Sequence, residues 1–233
     1  MKTLVILHGW GSSKEKWQKV KENLEKNEVN VIIPDLPGFK EKNKIDRPWN
    51  LDDYVNWLED FSQNNEKFFL LGHSFGGALA AKFTLKYPGK VEKLFLVSAA
   101  CVRKKTAKKT ILTKVPKIFK RLFSFLPFYS LIRKAFYKFI VKNPDYLSVE
   151  GEVILKETYL KIISEDLSES LSSIEVPTVI IWGDKDDTTP VKDAYFINEK
   201  INNSKLIIIP GGTHRLRKEM PEVLVQKILE NIN

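Results

Sequence analysis

The pentapeptide GHSFG at residues 72–76 constrains the fold of this chain more than any other segment. It follows an apolar run at residues 68–71 and opens a helical pattern at residues 78–81. A strand, a sharp turn that carries one serine, and a helix are therefore expected here. Glycines suit both ends of such a turn, since a side chain at Gly72 or Gly76 would collide with the neighbouring strand or helix. The same pattern also fits a chemically inert serine N-cap.

A second glycine turn follows the first predicted strand, at residues 4–7. Its sequence, HGWG at residues 8–11, can offer a backbone N–H group to a carbonyl oxygen. We expect that donor to be the N–H of Trp10, with the N–H of Phe75 as the second. On its own, the segment fits equally well an ordinary glycine turn with a partly buried histidine and tryptophan.

A later strand, at residues 178–182, ends in a loop with three candidate acids. The sequence GDKDD at residues 183–187 contains Asp184, Asp186 and Asp187. A carboxylate at the carboxyl end of a strand can orient an imidazole and stabilise the imidazolium that forms when a serine proton is taken. The pattern alone leaves the choice among the three open.

The last predicted strand, at residues 206–209, leads to a histidine. Among the three histidines of the chain, only His214 lies in a loop downstream of both the serine and the acids. Imidazole is the side-chain group that most readily accepts and releases a proton near neutral pH, which suits a general base. His8 and His73 flank the two glycine turns, and we interpret both as structural.

Taken together, the order of these motifs resembles the α/β-hydrolase fold family over nearly the whole chain. The segments DLPG at residues 35–38 and PE at residues 221–222 add to the resemblance. Two positions depart from the family pattern, because Thr213 stands where many relatives have glycine and Gly38 is followed by no second glycine. Neither departure affects the proposed chemistry.

The resemblance implies which residues form the site. Similar sequences carry the acid three residues after the glycine, which selects Asp186 and leaves Asp184 and Asp187 as turn formers. Ser74, Asp186 and His214 would then be a catalytic triad on a nucleophile elbow. The N–H groups of Trp10 and Phe75 would form the oxyanion hole. Substrate-binding residues are not indicated.

Apolar runs alternate with helical patterns, which favours a parallel sheet with helices on both faces. At 233 residues, of which 43% are hydrophobic, the chain can bury a substantial core as one domain with an insertion. We expect strands near residues 3–7, 30–34, 67–71, 92–97, 177–182 and 205–209. We expect helices near residues 15–25, 51–63, 75–87, 191–201 and 218–231.

The resemblance implies an α/β-hydrolase fold with about six mostly parallel strands and a helical cap inserted after the fourth strand. The core would comprise residues 1–100 and 177–233, and the cap residues 101–176. Residues 103–144 contain thirteen lysines and arginines and no acidic residue, which leaves 25 basic and 29 acidic residues elsewhere. Two amphipathic basic helices are predicted there, broken around Pro127.

Three interpretations of this positive charge remain open. The basic faces can be a solvated surface, or they can attract an anionic membrane surface, an anionic substrate or an acidic carrier protein. Nucleic acid is the weakest of the three, because the interleaved aromatic residues fall on the apolar faces.

The resemblance predicts a capped serine carboxylesterase-type hydrolase that acts on a small-molecule ester and requires no metal or organic cofactor. Thioester or carbon–carbon bond hydrolysis remains an alternative, as does a non-catalytic ligand-binding or lipid-binding relative. The single cysteine excludes an intramolecular disulfide, and the first strand begins too early for a signal peptide. We therefore expect a cytoplasmic protein.

Overall fold

The computed structural model describes residues 2–40, 43–63, 67–103 and 153–232. Within these ranges the strands form one six-stranded sheet in the order β2-β1-β3-β4-β5-β6, and every neighbouring pair is parallel. The chain order reverses between β1 and β3, and in open parallel sheets such a reversal opens a crevice at the carboxyl ends of the strands. The strands are β1 (Lys2–Leu7), β2 (Val29–Ile32), β3 (Phe68–His73), β4 (Val91–Val97), β5 (Thr178–Gly183) and β6 (Ser204–Ile209).

The predicted strands, and the helices predicted outside residues 103–144, are confirmed to within a few residues. The α-helices of the described ranges are α1 (Gln18–Glu25), α2 (Leu51–Phe61), α3 (Phe75–Lys86), α4 (Val153–Ser164), α5 (Val191–Lys200), α6 (Leu216–Glu219) and α7 (Pro221–Ile232). Short 3-10 segments lie at Lys14–Trp17, Pro88–Lys90 and Ser170–Ser173. The predicted last helix is divided at Met220, which is non-helical because a following proline disfavours the α conformation.

The central strands β3 and β5 are predominantly apolar because both faces of the sheet are covered. Every residue of β3 and β5 is buried, which is typical of parallel sheets. One face packs against α1 and α7, where Trp17, Leu24 and Leu224 join alternate residues of the strands in one core. On the opposite face α3 lies between the sheet and α2, which explains why most of α3 is buried.

Helix α4 falls within the range that the sequence assigns to the insertion, and its side chains contact loops of the sheet. The backbone N–H of Trp49 donates to Thr158 Oγ1 at 3.1 Å, and Lys161 Nζ donates to the carbonyl of Pro48 at 2.8 Å. Just beyond the helix, Glu165 accepts from Lys82 Nζ at 2.7 Å. The return of the chain to β5 is therefore fixed to the rest of the described structure.

The two basic helices predicted within residues 103–144 lie almost entirely outside the described residues, so the cap and its boundaries stay predictions. Among the helices that are described, none is both long enough and apolar enough to cross a bilayer. The cytoplasmic location also stays a prediction.

Candidate active site

Ser74 occupies a strained turn between β3 and α3. Its φ of 55° and ψ of −117° are uncommon for a residue with a side chain, and such backbone conformations cost about 1–3 kcal/mol. Hydrogen bonds on both sides fix the turn. The Ser74 N–H donates to Val97 O at 3.1 Å, and the Ser74 carbonyl accepts from the N–H groups of Gly77 and Ala100, each at 2.9 Å.

Close packing of the backbone explains the glycines at both ends of this turn. A Cβ atom on Gly72 would lie 2.2 Å from the carbonyl oxygen of Gly76, and one on Gly76 would lie 2.2 Å from the carbonyl oxygen of Leu7. Real Cβ atoms do not approach backbone atoms this closely. The predicted requirement for small residues at both positions is confirmed.

The turn after β1 lies beside Ser74. A Cβ atom on Gly9 would be 3.3 Å from Ser74 Cβ, and the N–H of Ser12 closes the turn by donating to Gly9 O at 3.1 Å. The ring centroids of Trp10 and Phe75 are 5.5 Å apart. Phe75 is the first residue of α3, so its N–H is among the four N-terminal N–H groups of a helix that have no intrahelical partner.

His8 connects this turn to the loop after β2. The N–H of Leu36 donates to His8 Nε2 at 3.3 Å, which leaves Nδ1 to donate to the carbonyl of Gly9 at 2.9 Å. Burial lowers the pKa of His8, so the ring is neutral at neutral pH. These contacts agree with the structural role that the sequence suggests.

His214 and Asp186 form a hydrogen-bonded pair at the carboxyl edge of the sheet. His214 Nδ1 lies 2.9 Å from Asp186 Oδ2, and the Asp186 side chain is fully buried. Burial alone would raise the pKa of Asp186, but hydrogen bonds from His214 and from the Thr189 N–H outweigh it and hold the pKa below the usual value. An ionised carboxylate at this position requires a proton on Nδ1, which leaves Nε2 of His214 as the proton acceptor.

The other two aspartates of this loop do not contact His214. Asp184 accepts from the N–H of Gly211 at 2.7 Å, and Asp187 accepts from the Thr188 hydroxyl at 3.3 Å. Both are exposed. The structure therefore brings Asp186 to His214 and leaves Asp184 and Asp187 as loop residues.

Thr189 also binds this carboxylate, and the sequence analysis missed it. Its N–H donates to Asp186 Oδ1 at 2.8 Å, and its hydroxyl lies 2.9 Å from Oδ2. The N–H of Thr188 also donates to Oδ1, at 3.0 Å. The spacing, with donors two and three residues after an aspartate, is that of an Asx turn and was the available signal.

Aromatic side chains from several elements surround the Trp10 side chain. The ring of Phe39, in the loop after β2, stands edge-on at 4.8 Å from Trp10, and that of Tyr159, in α4, lies at 5.1 Å. The Tyr54 ring contacts Phe75 at 5.1 Å. This aromatic cluster, defined by Trp10, Phe39, Tyr54, Phe75 and Tyr159, forms an apolar wall beside the two glycine turns. Its members come from separate elements, so no sequence periodicity could reveal it.

Within the described ranges, no group of three or more histidine, cysteine, aspartate or glutamate side chains is arranged to hold a metal ion. The titratable groups that the structure brings together beside the elbow are His214 and Asp186.

Comparison with known proteins places this geometry in a family. A family model described as alpha/beta hydrolase fold matches residues 2–135. Monoacylglycerol lipase ABHD6 of Bos taurus is 24% identical over 252 residues, which cover 98% of this chain and 74% of the relative. Pimeloyl-[acyl-carrier protein] methyl ester esterase of Pectobacterium carotovorum is 27% identical over 246 residues, which cover 97% of this chain and 92% of the relative.

Solved structures share the fold. A thermophilic esterase from Thermogutta terrifontis superposes with a TM-score of 0.76 and 22% identity, covering 100% of this chain and 89% of that one. A meta-cleavage product hydrolase from Pseudomonas fluorescens gives a TM-score of 0.70 and 20% identity, covering 99% and 90%. The family model spans more than half of the sequence, and the six-stranded parallel sheet agrees with the fold that the sequence predicts. The chain belongs to the α/β-hydrolase fold family.

Proposed function

We propose that this protein is a serine hydrolase that cleaves carboxylic esters through a Ser74-His214-Asp186 triad and an acyl-enzyme intermediate. The observation that carries the proposal is the pairing of a buried, ionised Asp186 with His214 at 2.9 Å. It occurs in a fold whose strained elbow leaves Ser74 partly exposed. A base oriented by a carboxylate and a serine displayed on a sharp turn are the two components that acyl transfer requires.

In the first half of the reaction, His214 Nε2 takes the proton from Ser74 Oγ as this oxygen attacks the carbonyl carbon of the ester. The N–H groups of Trp10 and Phe75 would stabilise the resulting oxyanion. Collapse of the tetrahedral intermediate breaks the bond to the leaving alcohol, which takes the proton from His214. Ser74 is then acylated.

In the second half, water attacks the acyl carbonyl while His214 again accepts a proton. The proton returns to Ser74 Oγ as the carboxylic acid leaves. Throughout, Asp186 stays ionised and offsets the positive charge that forms on His214. The sequence of steps needs no metal or organic cofactor.

The aromatic cluster supports an apolar acyl group as the part of the substrate that is recognised. Its rings lie beside the proposed oxyanion donors, where the acyl chain of a bound ester would extend. Two relatives are named as a monoacylglycerol lipase and as a methyl ester esterase, and both of those names specify acyl esters. We extend that substrate class to this protein.

The basic sequence at residues 103–144 supports recruitment to an anionic membrane surface or an acidic carrier protein. Attraction by thirteen positive charges would weaken with salt, because exposed charges are screened over about 8 Å at physiological ionic strength. Binding to vesicles of anionic lipid and to an acidic acyl carrier, each at low and high salt, tests this. Absence of binding to both at low salt would leave the segment as a solvated surface.

Steady-state hydrolysis of nitrophenyl esters with acyl chains of increasing length tests the proposal. We expect measurable turnover by the wild type and a fall of about 10³–10⁶-fold in Ser74→Ala and His214→Ala, because members of a triad act as a unit. The matched control is Ser172→Ala, since this exposed hydroxyl bonds only to the carbonyl of Glu169 among the described residues. Retention of more than about a tenth of wild-type turnover by Ser74→Ala would overturn the assignment.

Acyl thioesters and ketones with a cleavable carbon–carbon bond, assayed beside the esters, separate the alternatives. Preferential turnover of an acyl thioester, or of a carbon–carbon bond next to a ketone, would keep the triad and change the substrate class. Binding of fatty acids without turnover of any of these would identify a ligand-binding relative.

A further inference from the structure

We infer that His73 is a positioning residue for His214, whose imidazole N–H holds the main chain of the general base next to the nucleophile. The inference rests on the proposed function, because it assigns His214 the role of base. His73 is the last residue of β3 and directly precedes Ser74. A contact from His73 to the loop of His214 therefore joins the two sides of the site.

The direction of this hydrogen bond follows from its acceptor. His73 Nε2 lies 2.9 Å from the carbonyl oxygen of His214. A carbonyl can only accept, so Nε2 carries the proton. The centroids of the two imidazole rings are 4.9 Å apart, which places the whole His73 ring against the base.

The surroundings of the other ring nitrogen of His73, Nδ1, do not by themselves favour an imidazole over an apolar side chain. His73 Nδ1 is buried and has no hydrogen-bond partner among the described residues. A Cβ atom on Gly9 would lie 3.1 Å from it, so the turn after β1 closes over this side of the ring. A buried acceptor without a partner destabilises the fold. An apolar side chain at position 73 would avoid that cost but could not form the hydrogen bond to the His214 carbonyl. This bond is therefore the contact that favours histidine here.

The surroundings keep His73 uncharged. Burial lowers its pKa well below the usual value, and the nearby His214 and Arg217 lower it further. Arg217 Nη1 is 3.5 Å from His73 Nε2, but it cannot donate to a nitrogen that already carries a proton. Its guanidinium lies over the ring of Trp17 instead, at 5.9 Å. A neutral His73 places no positive charge beside the imidazolium that His214 becomes during the reaction.

His214 is thus held at two points. Asp186 fixes the side chain through Nδ1, and His73 fixes the main chain through the carbonyl. The first contact sets the tautomer and the direction of the ring. The second sets the distance of the loop from the end of β3. Displacement of a catalytic group by about 1 Å can lower the rate by about 10²-fold, so loss of the second contact should reduce turnover without abolishing it.

The test compares His73→Leu, which removes the donor, with His73→Gln, whose side-chain amide places an N–H near the position of Nε2. We expect kcat for a nitrophenyl ester to fall about 10–100-fold in His73→Leu with KM unchanged. We expect His73→Gln to recover most of the loss. The matched control is Thr213→Val, which removes a hydroxyl of the same loop that bonds to Glu219 and not to the His214 carbonyl, and it should keep kcat within a few-fold.

Urea unfolding of each variant separates positioning from folding. The inference would be overturned if His73→Leu kept the wild-type kcat. It would also be overturned if His73→Leu and His73→Gln lost kcat equally while their unfolding midpoints stayed unchanged. If His73→Leu does not fold, His73→Asn replaces it, because its amide is too short to reach the His214 carbonyl. If the wild type is active and its activity depends on Ser74, the proposed function holds. An unchanged kcat in His73→Leu would then refute only the positioning role of His73.

Discussion

The nucleophile elbow and the loop that carries His214 are held in place by different kinds of interaction. At the elbow, backbone packs on backbone, and Gly76 leaves no room for a Cβ atom against Leu7. At the His214 loop, side chains supply the constraints, with Asp186 on the imidazole and His73 on the carbonyl. Substitution of the elbow glycines should therefore damage folding, whereas changes around His214 should damage activity first.

The difference also determines how steeply each region responds to substitution. A backbone clash cannot relax without moving a strand or a helix, because protein interiors are close-packed. A lost side-chain hydrogen bond lets a loop shift while the sheet remains.

Asp186→Asn should lower turnover by about 10³–10⁴-fold, because the amide favours the wrong tautomer of His214 and cannot offset its positive charge. The protein should still fold, which circular dichroism checks. Asp184→Asn and Asp187→Asn serve as controls in the same loop and should stay within a few-fold of the wild type. A comparable loss in either control, with Asp186→Asn active, would assign the acid elsewhere.

Gly76→Ala should destabilise the fold by about 3 kcal/mol or more, since the added methyl group meets the Leu7 carbonyl and overpacking that cannot relax exceeds the usual 1–3 kcal/mol. The control is Gly89→Ala, where a Cβ atom would meet no atom within 4 Å. Urea unfolding measures both. Equal midpoints for the two variants would show that the elbow is not held by backbone packing.

Acidification should destabilise the fold through His73. Its pKa is lowered well below 6.5 in the folded protein, so the unfolded chain binds the extra proton first as pH falls through about 6.5. Between about pH 7 and pH 5 this should lower the free energy of unfolding, by at most about 1.4 kcal/mol for each pH unit below about 6.5. His8, whose pKa is also lowered by burial, acts in the same direction.

Comparing His73→Gln with the wild type isolates the contribution of His73. The variant should lose less stability in urea between the two pH values. The pKa of Asp186 is lowered as well, but its contribution is lost only below about pH 4, where an unfolded aspartate becomes protonated. Identical losses in the variant and the wild type would show that His73 does not resist protonation.

Thr189→Val should have the smallest effect, about tenfold on kcat. The substitution removes the hydroxyl next to Asp186 Oδ2 and keeps the N–H bond to Oδ1, so the carboxylate is loosened but still held. Thr188→Val is the matched control, because its hydroxyl bonds to the exposed Asp187. Equal kcat values for the two variants would show that Thr189 supports Asp186 only through its backbone N–H.

The features that the sequence predicts best are those fixed by local chemistry. Apolar runs flanked by helical patterns placed the strands to within a few residues, and the glycines of residues 72–76 indicated the elbow because only glycine tolerates such close backbone contact. The acid was harder. Asp184, Asp186 and Asp187 are equivalent as loop aspartates, and the resemblance to a family was needed to prefer Asp186.

Long-range side-chain contacts could not be predicted. The bond from His73 to the His214 carbonyl joins residues 141 positions apart, and no local pattern encodes its partner. Tyr159 contacts Trp10 from α4, which lies within the broad predicted insertion but was not itself predicted as a helix. Tertiary packing creates these contacts, so they become visible only when the fold is known.

Covalent labelling shows whether Ser74 is the nucleophile that His214 activates. The native protein is treated with a fluorophosphonate, which phosphonylates an activated serine and releases fluoride, and the labelled peptide is identified by mass spectrometry. We expect one label per chain, on Ser74, with none in Ser74→Ala and labelling slowed by orders of magnitude in His214→Ala. A label on another residue, or equal labelling of Ser74→Ala and the wild type, would contradict this assignment.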